Sequence, residues 1–105
     1  MSYKVTISRE AQEDLRGIYA YIAFNLFSRQ NALGQINRLE KAIRSLDIFP
    51  MRHQLVTFEP WKSRGLHVMP CDNFLVFYLP QEEKHEVIIS RILYGKRNII
   101  EVLGK

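Results

Sequence analysis

The amino-acid sequence predicts an α+β fold in which an N-terminal strand and a helical hairpin precede an antiparallel sheet. Three observations predict it: an alternating apolar segment opens the chain, two helical apolar stripes follow, and a series of β-type runs joined by tight turns completes it. Consecutive tight turns imply a meander, whose one face the hairpin would cover. The predicted order is β-α-α-β-β-β, optionally closed by a short helix. The 105 residues are the size of a single domain, 1–105.

The first strand and the first helix follow directly from residue spacing. Tyr3, Val5 and Ile7 alternate with polar residues, which indicates a strand with one apolar face. Ser8 is a suitable N-cap for a helix from about Arg9 to Leu26. The core-facing stripe of this helix, at i, i+4, i+7 and i+11, is Ala11, Leu15, Ile18 and Ile22.

The first helix carries more aromatic surface than one buried stripe requires. The additional residues, on other sides of the same helix, are Tyr19, Tyr21, Phe24 and Phe27. Two interpretations stay open: a helix that its own domain buries on two sides, or a docking surface for another chain.

The second helix begins at Ser28 and ends before Pro50, because proline disfavours a helical residue before it. Its core stripe, at +4, +3, +4 and +3 spacing, is Ala32, Ile36, Leu39, Ile43 and Leu46. The short link around Leu26–Ser28 makes the two helices an antiparallel hairpin.

The remaining segments predict the sheet. Phe74–Leu79 is apolar on both pleats, so it should be a central strand covered on both sides. Glu86–Tyr94 is β-branched and apolar and should be the last strand. The other expected elements are a short strand at 54–58, a loop at 59–63, a strand at 64–69, turns at 70–73 and 80–84, and a helix at 98–103.

Bulk properties indicate a soluble cytoplasmic protein. The net charge of +4 and the pI of about 9.4 fit an anionic partner without demanding one. Cys71 is the only cysteine, which favours a reducing compartment. The first residues lack a signal-peptide apolar core, and the longest apolar helical run is about half the ~20 residues that a membrane span needs.

Metal and thiol chemistry are not expected, nor is a cofactor. His53, His67 and His85 show no metal-ligand spacing with the single cysteine, and no glycine-rich phosphate loop precedes a helix. Cys71 is expected to lie in a turn rather than to act as a nucleophile. The carboxylates of the first helix and of the turn at 81–86 are expected to form solvated faces.

Cations near the strand ends carry the main functional signal. In a meander, strand ends from different connections come together, so Arg64, Arg91, Lys96 and Arg97 are expected to converge. Such a patch could bind phosphates or an acidic peptide through charge-assisted hydrogen bonds. The alternative is a set of scattered surface cations with no joint function.

Several segments, in this order, resemble one protein family. They are Ala11-x-x-Asp14-Leu15-x-x-Ile18-x-x-Tyr21-Ile22, the second helical stripe with Phe49-Pro50, Arg64-Gly65-Leu66, Phe74 to Tyr78, and Val87-x-Ile89-x-Arg91-Ile92-Leu93-Tyr94-Gly95-Lys96-Arg97-Asn98. The sequence resembles the ParE/RelE superfamily of bacterial type II toxins, most closely its ParE-like branch. The resemblance implies a toxin–antitoxin hetero-oligomer in which a small antitoxin wraps the toxin, and the apolar surplus of the first helix, Tyr19, Tyr21, Phe24 and Phe27, is its expected contact.

The superfamily contains two mechanisms. RelE-like members cut mRNA on the ribosome with several cations and a late aromatic residue or histidine. ParE-like members inhibit DNA gyrase and are not known as enzymes. The resemblance to the first group is incomplete: Arg97 falls on its arginine after the last strand, but Phe74 replaces an arginine and Leu103 a tyrosine, while Gly65 and His67 stand roughly where two lysines are expected.

These departures favour a gyrase-binding toxin, with target contacts at Arg64, Arg91, Tyr94, Lys96 and Arg97. The alternative is a ribosome-dependent mRNA endoribonuclease whose site is Arg64, His67, Tyr94 and Arg97, with His67 and Tyr94 as an unusual acid/base pair. A third possibility is a decayed, non-toxic module that keeps only antitoxin binding.

Overall fold

A computed structural model describes residues 2–104 and contains one five-stranded sheet in the order β1-β5-β4-β3-β2. The strands are β1 (Lys4–Ile7), β2 (Gln54–Leu55), β3 (His67–Cys71), β4 (Phe74–Gln81) and β5 (Glu86–Tyr94). The helices are α1 (Arg9–Ala20), α2 (Arg29–Arg44) and α3 (Ile99–Leu103). The predicted α+β class, with a helical hairpin and an antiparallel meander, is confirmed.

The first helix begins at the predicted residue but changes its winding before it ends. The Ser8 hydroxyl accepts a hydrogen bond from the Ala11 N–H at 3.1 Å, and also donates to the Ser90 carbonyl at 2.9 Å. One cap therefore fixes both the start of α1 and its position beside β5. A π-helical turn at Tyr21–Asn25 follows α1, so the expected single α-helix to Leu26 is two pieces.

The second helix begins as predicted. Ser28 caps α2 by accepting from the Asn31 N–H at 3.3 Å. The expected stripe is largely buried, with Ala32, Leu39 and Ile43 at 2% exposure or less. Because this stripe faces the sheet and α1, the opposite side of α2 is left to solvent.

The N-terminal strand completes the sheet by parallel pairing. Residues Lys4–Ile7 lie in register with Glu86–Ile89, while every other neighbouring pair of strands is antiparallel. Parallel pairing needs a long crossover, which the helical hairpin begins. Since β1 reaches only as far as Ile89, no strand among residues 2–104 pairs with the outer edge of the second half of β5.

Several turn boundaries predicted from composition were wrong. β2 is only two residues long, and β3 starts at His67 rather than at Arg64. Pro70 and Cys71 belong to β3, and Pro80 belongs to β4. Pro70 lies beyond the residues of β3 that pair with β2, and Pro80 lies beyond the residues of β4 that pair with β3. The missing N–H of each proline therefore costs no ladder hydrogen bond on that side. Only residues 72 and 73 form the hairpin turn.

The sheet carries a core on each face. The hairpin covers the first face, where Leu39, Tyr78 and Ile89 are fully buried. On the second face, the segment at 56–66 and helix α3 cover Phe77 and Leu93. β4 contributes side chains to both cores, as expected of a central strand.

Within residues 2–104, none of the helices is long and apolar enough to cross a membrane.

Candidate macromolecule-binding site

The turn after β5 presents two cations at one end of the sheet. The Gly95 N–H donates to the Asn73 carbonyl at 2.9 Å, and the Arg97 N–H donates to the Tyr94 carbonyl at 3.1 Å. A Cβ atom at residue 95 would lie 3.3 Å from the same Asn73 oxygen, so glycine permits this close approach. Lys96 and Arg97 are exposed, and neither forms an ion pair within the described part of the chain.

Tyr94 belongs to this turn. Its ring contacts Phe74 edge-on, with the ring centroids 6.0 Å apart, yet two-fifths of the residue stays exposed. We refer to Tyr94, Lys96 and Arg97 as the cationic turn. It offers two charges and a phenol to a partner, on a backbone that two hydrogen bonds hold in place.

Arg91 is held elsewhere, by α1. Its Nε donates to Asp14 Oδ2 at 2.8 Å and its Nη2 to Asp14 Oδ1 at 3.0 Å, and the Ile92 N–H also donates to Oδ2 at 2.9 Å. The hydrogen bonds to Asp14 raise the pKa of the Arg91 guanidinium. We call these three residues the Asp14 clamp. The clamp ties α1 to the edge of β5 that β1 does not reach.

A β-bulge explains how the Arg91 side chain comes to point toward Asp14 on α1. The β4–β5 register shifts between Phe77 and Tyr78, so that Phe77 pairs with Arg91 while Tyr78 pairs with Ile89. Ser90 is the additional residue, and bulges commonly re-aim neighbouring side chains. Periodicity alone could not reveal this shift.

Arg64 lies in the segment before β3, over the ring of Trp61 at 4.9 Å from its centroid. The Trp61 indole N–H donates to the Gly104 carbonyl at 3.0 Å, which places this pair beside the C-terminal end of α3. Arg97 precedes the N-terminal end of the same helix. The two arginines therefore sit at opposite ends of α3.

His67 lies far from Tyr94. It pairs with Tyr78 across β3 and β4, whereas Tyr94 pairs with Phe74, which is four residues away along β4. That offset is about 13 Å at ~3.3 Å per residue, and β3 and β5 are a further ~10 Å apart across β4. The His67 ring lies against the Tyr78 ring, tilted by 35° with the centroids 5.5 Å apart, and its Nδ1 is 2.9 Å from the Gly65 carbonyl oxygen.

The four expected cations do not share one turn, although Arg91 lines an open cleft together with Trp61, over whose ring Arg64 lies. Lys96 and Arg97 share the cationic turn with Tyr94, but Arg91 is in the Asp14 clamp and Arg64 is on Trp61. The acid/base pair of His67 and Tyr94 is not assembled. Composition places these residues near strand ends, but only the strand register decides which ends meet.

The hairpin aromatic residues are exposed at the turn between the helices. Tyr21, Phe24 and Phe27 are each more than half exposed, while Tyr19 is partly buried. Leu26 and Leu33 extend this apolar surface and were missed from the sequence, because each fits a helical or turn pattern by itself. We refer to Tyr21, Phe24, Leu26 and Phe27 as the hairpin tip.

A second exposed apolar surface was also missed. Ile48, Phe49 and Met51 line an open cleft beside Tyr3, at the other end of α2. The only sequence signal was the Phe49-Pro50 dipeptide, which we interpreted as a helix terminator. We call this surface the Phe49 cleft.

Groups for metal or thiol chemistry do not come together. Within residues 2–104, no three His, Cys, Asp or Glu side chains are placed to hold a metal ion. Burial raises the pKa of the Cys71 thiol, and nearby Asp72 adds to the increase, which opposes thiolate formation. What the arrangement offers is contact surface.

Comparison with known proteins identifies the family. Residues 5–99 match the family described as the ParE toxin of the type II toxin–antitoxin system parDE. The chain is a member of the ParE toxin family. A search of curated proteins by sequence gives no significant match.

Solved structures of related folds agree with this ParE-family assignment. The chromosomal ParDE system of P. aeruginosa matches with a TM-score of 0.76 and 16% identity, over 90% of this chain and 98% of the other. The RelBE2 toxin–antitoxin complex of Mycobacterium tuberculosis matches at 0.63 and 18%, over 90% and 99%. A mutant of E. coli RelE in the free state matches at 0.65 and 11%, over 97% and 93%. At such low identities, these likenesses show the fold that the ParE-family chain shares with both branches.

Proposed function

We propose that this ParE-family toxin acts by binding DNA gyrase through the cationic turn, and that a cognate antitoxin neutralises it. The observation that carries the proposal is the sparseness of free charge around that turn. Lys96 and Arg97 are the two cations of residues 94–98, whereas cleavage of a phosphodiester relies on several charges placed around the transition state.

The dispersal of the other candidates supports binding over mRNA cleavage. A nuclease site would need Arg64, His67, Tyr94 and Arg97 around one phosphate. Arg64 lies at the far end of α3, and His67 is displaced from Tyr94 along the strands and across them. A partly assembled site can be completed by substrate, but strand pairing fixes the separation of His67 from Tyr94. Binding a macromolecule needs no such convergence.

The proposed antitoxin contact is the hairpin tip together with Tyr19. The exposed side chains of Tyr21, Phe24 and Phe27 form an apolar surface of the kind that marks a protein interaction site. Matching structures include a ParDE system and RelBE complexes, each of which pairs a toxin with its antitoxin.

Two assays run side by side test the proposed target. Purified protein is added to a gyrase supercoiling reaction and, separately, to a translating extract in which mRNA cuts are mapped. We expect inhibited supercoiling and no cuts in phase with codons. Codon-phased cuts that Arg97→Ala abolishes would establish the nuclease instead. Unimpaired growth when the chain is induced without an antitoxin would contradict both toxic functions and support the decayed module.

The cationic turn is tested by the paired change Lys96→Ala and Arg97→Ala. We expect toxicity to fall while the fold and antitoxin binding persist, because both side chains are exposed and form no ion pair with residues 2–104. The matched control is Lys62→Ala with Lys84→Ala, which removes the same charge from exposed positions elsewhere. Equal loss of toxicity in both double variants would mean that net charge, and not this turn, decides target binding.

A further inference from the structure

Two phenylalanines adopt a backbone conformation that their side chains disfavour. Phe27 and Phe49 have φ values of 54° and 49°, in the left-handed region. Asp72 and His85 do so as well, but short polar residues and histidine are several-fold enriched there, whereas a bulky side chain is a genuine outlier. Glycine or asparagine would adopt the same turn with less strain.

Neither ring compensates for this strain by packing inside the molecule. Phe27 is 90% exposed and Phe49 is 78% exposed, and neither belongs to the core of either face. Both rings thus add strain and exposed apolar surface without stabilising the fold. Strained residues of this kind concentrate at functional sites, where another molecule repays the cost.

The two rings bracket α2. Phe27 lies just before its N-cap and Phe49 lies shortly after its end, so the sixteen residues of α2 separate them by about 24 Å. Between them, Leu33, Lys41 and Arg44 are exposed at spacings of eight and three residues, which places them on one side of the helix.

Two cations lie on this side of α2, and the partly buried Glu40 lies one helical turn before Arg44. Lys41 and Arg44 form no ion pair with any carboxylate among residues 2–104. Arg38, farther round the helix, is paired with Asp72. Exposed apolar residues at both ends and free cations between them form a surface complementary to a segment with apolar ends and an acidic middle.

We propose that the protein partner of the hairpin tip continues along the exposed side of α2 and ends in the Phe49 cleft. This inference rests on the proposed antitoxin and extends its contact by the length of α2. The occupant is an acidic segment of about 16 residues if helical, or about seven if extended. Its terminal apolar side chain enters the cleft among Tyr3, Ile48 and Met51.

The test uses the product of an adjoining reading frame of antitoxin size, titrated calorimetrically against the whole chain. The variants are Phe27→Asn and Phe49→Asn. Each should raise the Tm of the free chain by about 4 °C, since strain is relieved, and should weaken binding at least tenfold. The matched control, Ile100→Ala, removes an exposed apolar side chain from α3 on the other face and should leave the affinity unchanged. Lys41→Glu with Arg44→Glu should weaken binding and reduce its dependence on salt.

The outcomes separate this inference from the proposed function. If the wild-type chain forms no complex, the proposed antitoxin and the extended contact are both wrong. If the complex forms and Phe27→Asn weakens it while Phe49→Asn does not, the partner stops at the hairpin tip and the extended contact alone is overturned. A fall in Tm in both asparagine variants would show that the rings of Phe27 and Phe49 stabilise the fold, and would overturn the inference that they are kept for binding.

Discussion

Replacing Asp14 with alanine should destabilise the protein more than its place on a helix surface suggests. The Asp14 carboxylate accepts three hydrogen bonds, and only 14% of its side chain is exposed. The change leaves the Arg91 guanidinium unpaired and the Ile92 N–H without a partner. Breaking a buried pair costs about 3–5 kcal/mol, and a quarter of the Arg91 side chain can recover water, so we expect about 3 kcal/mol.

Thermal and urea unfolding measure this loss. For a chain of this size, ~3 kcal/mol corresponds to a Tm lower by about 12–15 °C. Arg91→Ala should cost less, about 2 kcal/mol, because Asp14 would still accept from the Ile92 N–H. The double variant should cost little more than Asp14→Ala alone, since the two residues share one interaction.

An exposed ion pair in the same protein supplies the control. Arg38 donates to Asp72 at the same 2.8 Å, but 58% and 40% of the two side chains are exposed. Arg38→Ala should therefore cost under about 1 kcal/mol. If Arg91→Ala and Arg38→Ala destabilise equally, or if Asp14→Ala costs under about 1 kcal/mol, then burial does not set the strength of the Asp14 clamp and our reasoning fails.

Two further predictions concern the residues around Tyr78. Burial, together with nearby Arg52 and His67, lowers the pKa of His53 in the folded protein, so the unfolded chain binds a proton there more readily. The stability that neutral His53 contributes is therefore fully present above pH ~6.5 and is lost as the pH falls through the pKa of the folded state. His53→Gln should flatten the fall in urea-unfolding free energy between pH 7 and 5. Burial also raises the pKa of Tyr78 to about 12, and its hydroxyl donates to the Pro50 carbonyl at 2.6 Å. Tyr78→Phe should cost about 1–2 kcal/mol in the same assay; an unchanged midpoint would contradict a structural role for this bond.

The elements with strong periodicity were predicted closely from the sequence. Glu86–Tyr94 has the predicted bounds because a long β-branched run between polar residues has few alternatives. Ser8 and Ser28 act as the predicted caps because a hydroxyl before a helical stripe satisfies free N–H groups. These features depend on neighbours in the sequence, which a local pattern records.

The errors concern properties that depend on distant pairing. The parallel β1–β5 ladder joins residues more than eighty positions apart, and the bulge at Ser90 depends on the register between β4 and β5. The position of Pro70 inside a strand depends on where β2 stops. Arg91 shows the difficulty best: the sequence names no partner for it, the carboxylates of α1 were expected to be solvated, and only the fold pairs it with Asp14.

The same geometry bears on how an antitoxin would silence this toxin. Ser8, at the start of α1, contacts Ile89, and Asp14, six residues later, contacts Ile92. The helix α1 therefore runs in the same direction as β5. Asn25 lies eleven residues beyond Asp14, or roughly 16 Å of helix, while Tyr94 lies only about 7 Å beyond Ile92. The hairpin tip therefore projects past the end of β5 where the cationic turn begins. If the cationic turn binds the target as proposed, a partner on the hairpin tip would lie toward the same end of the molecule and would hinder a large target there.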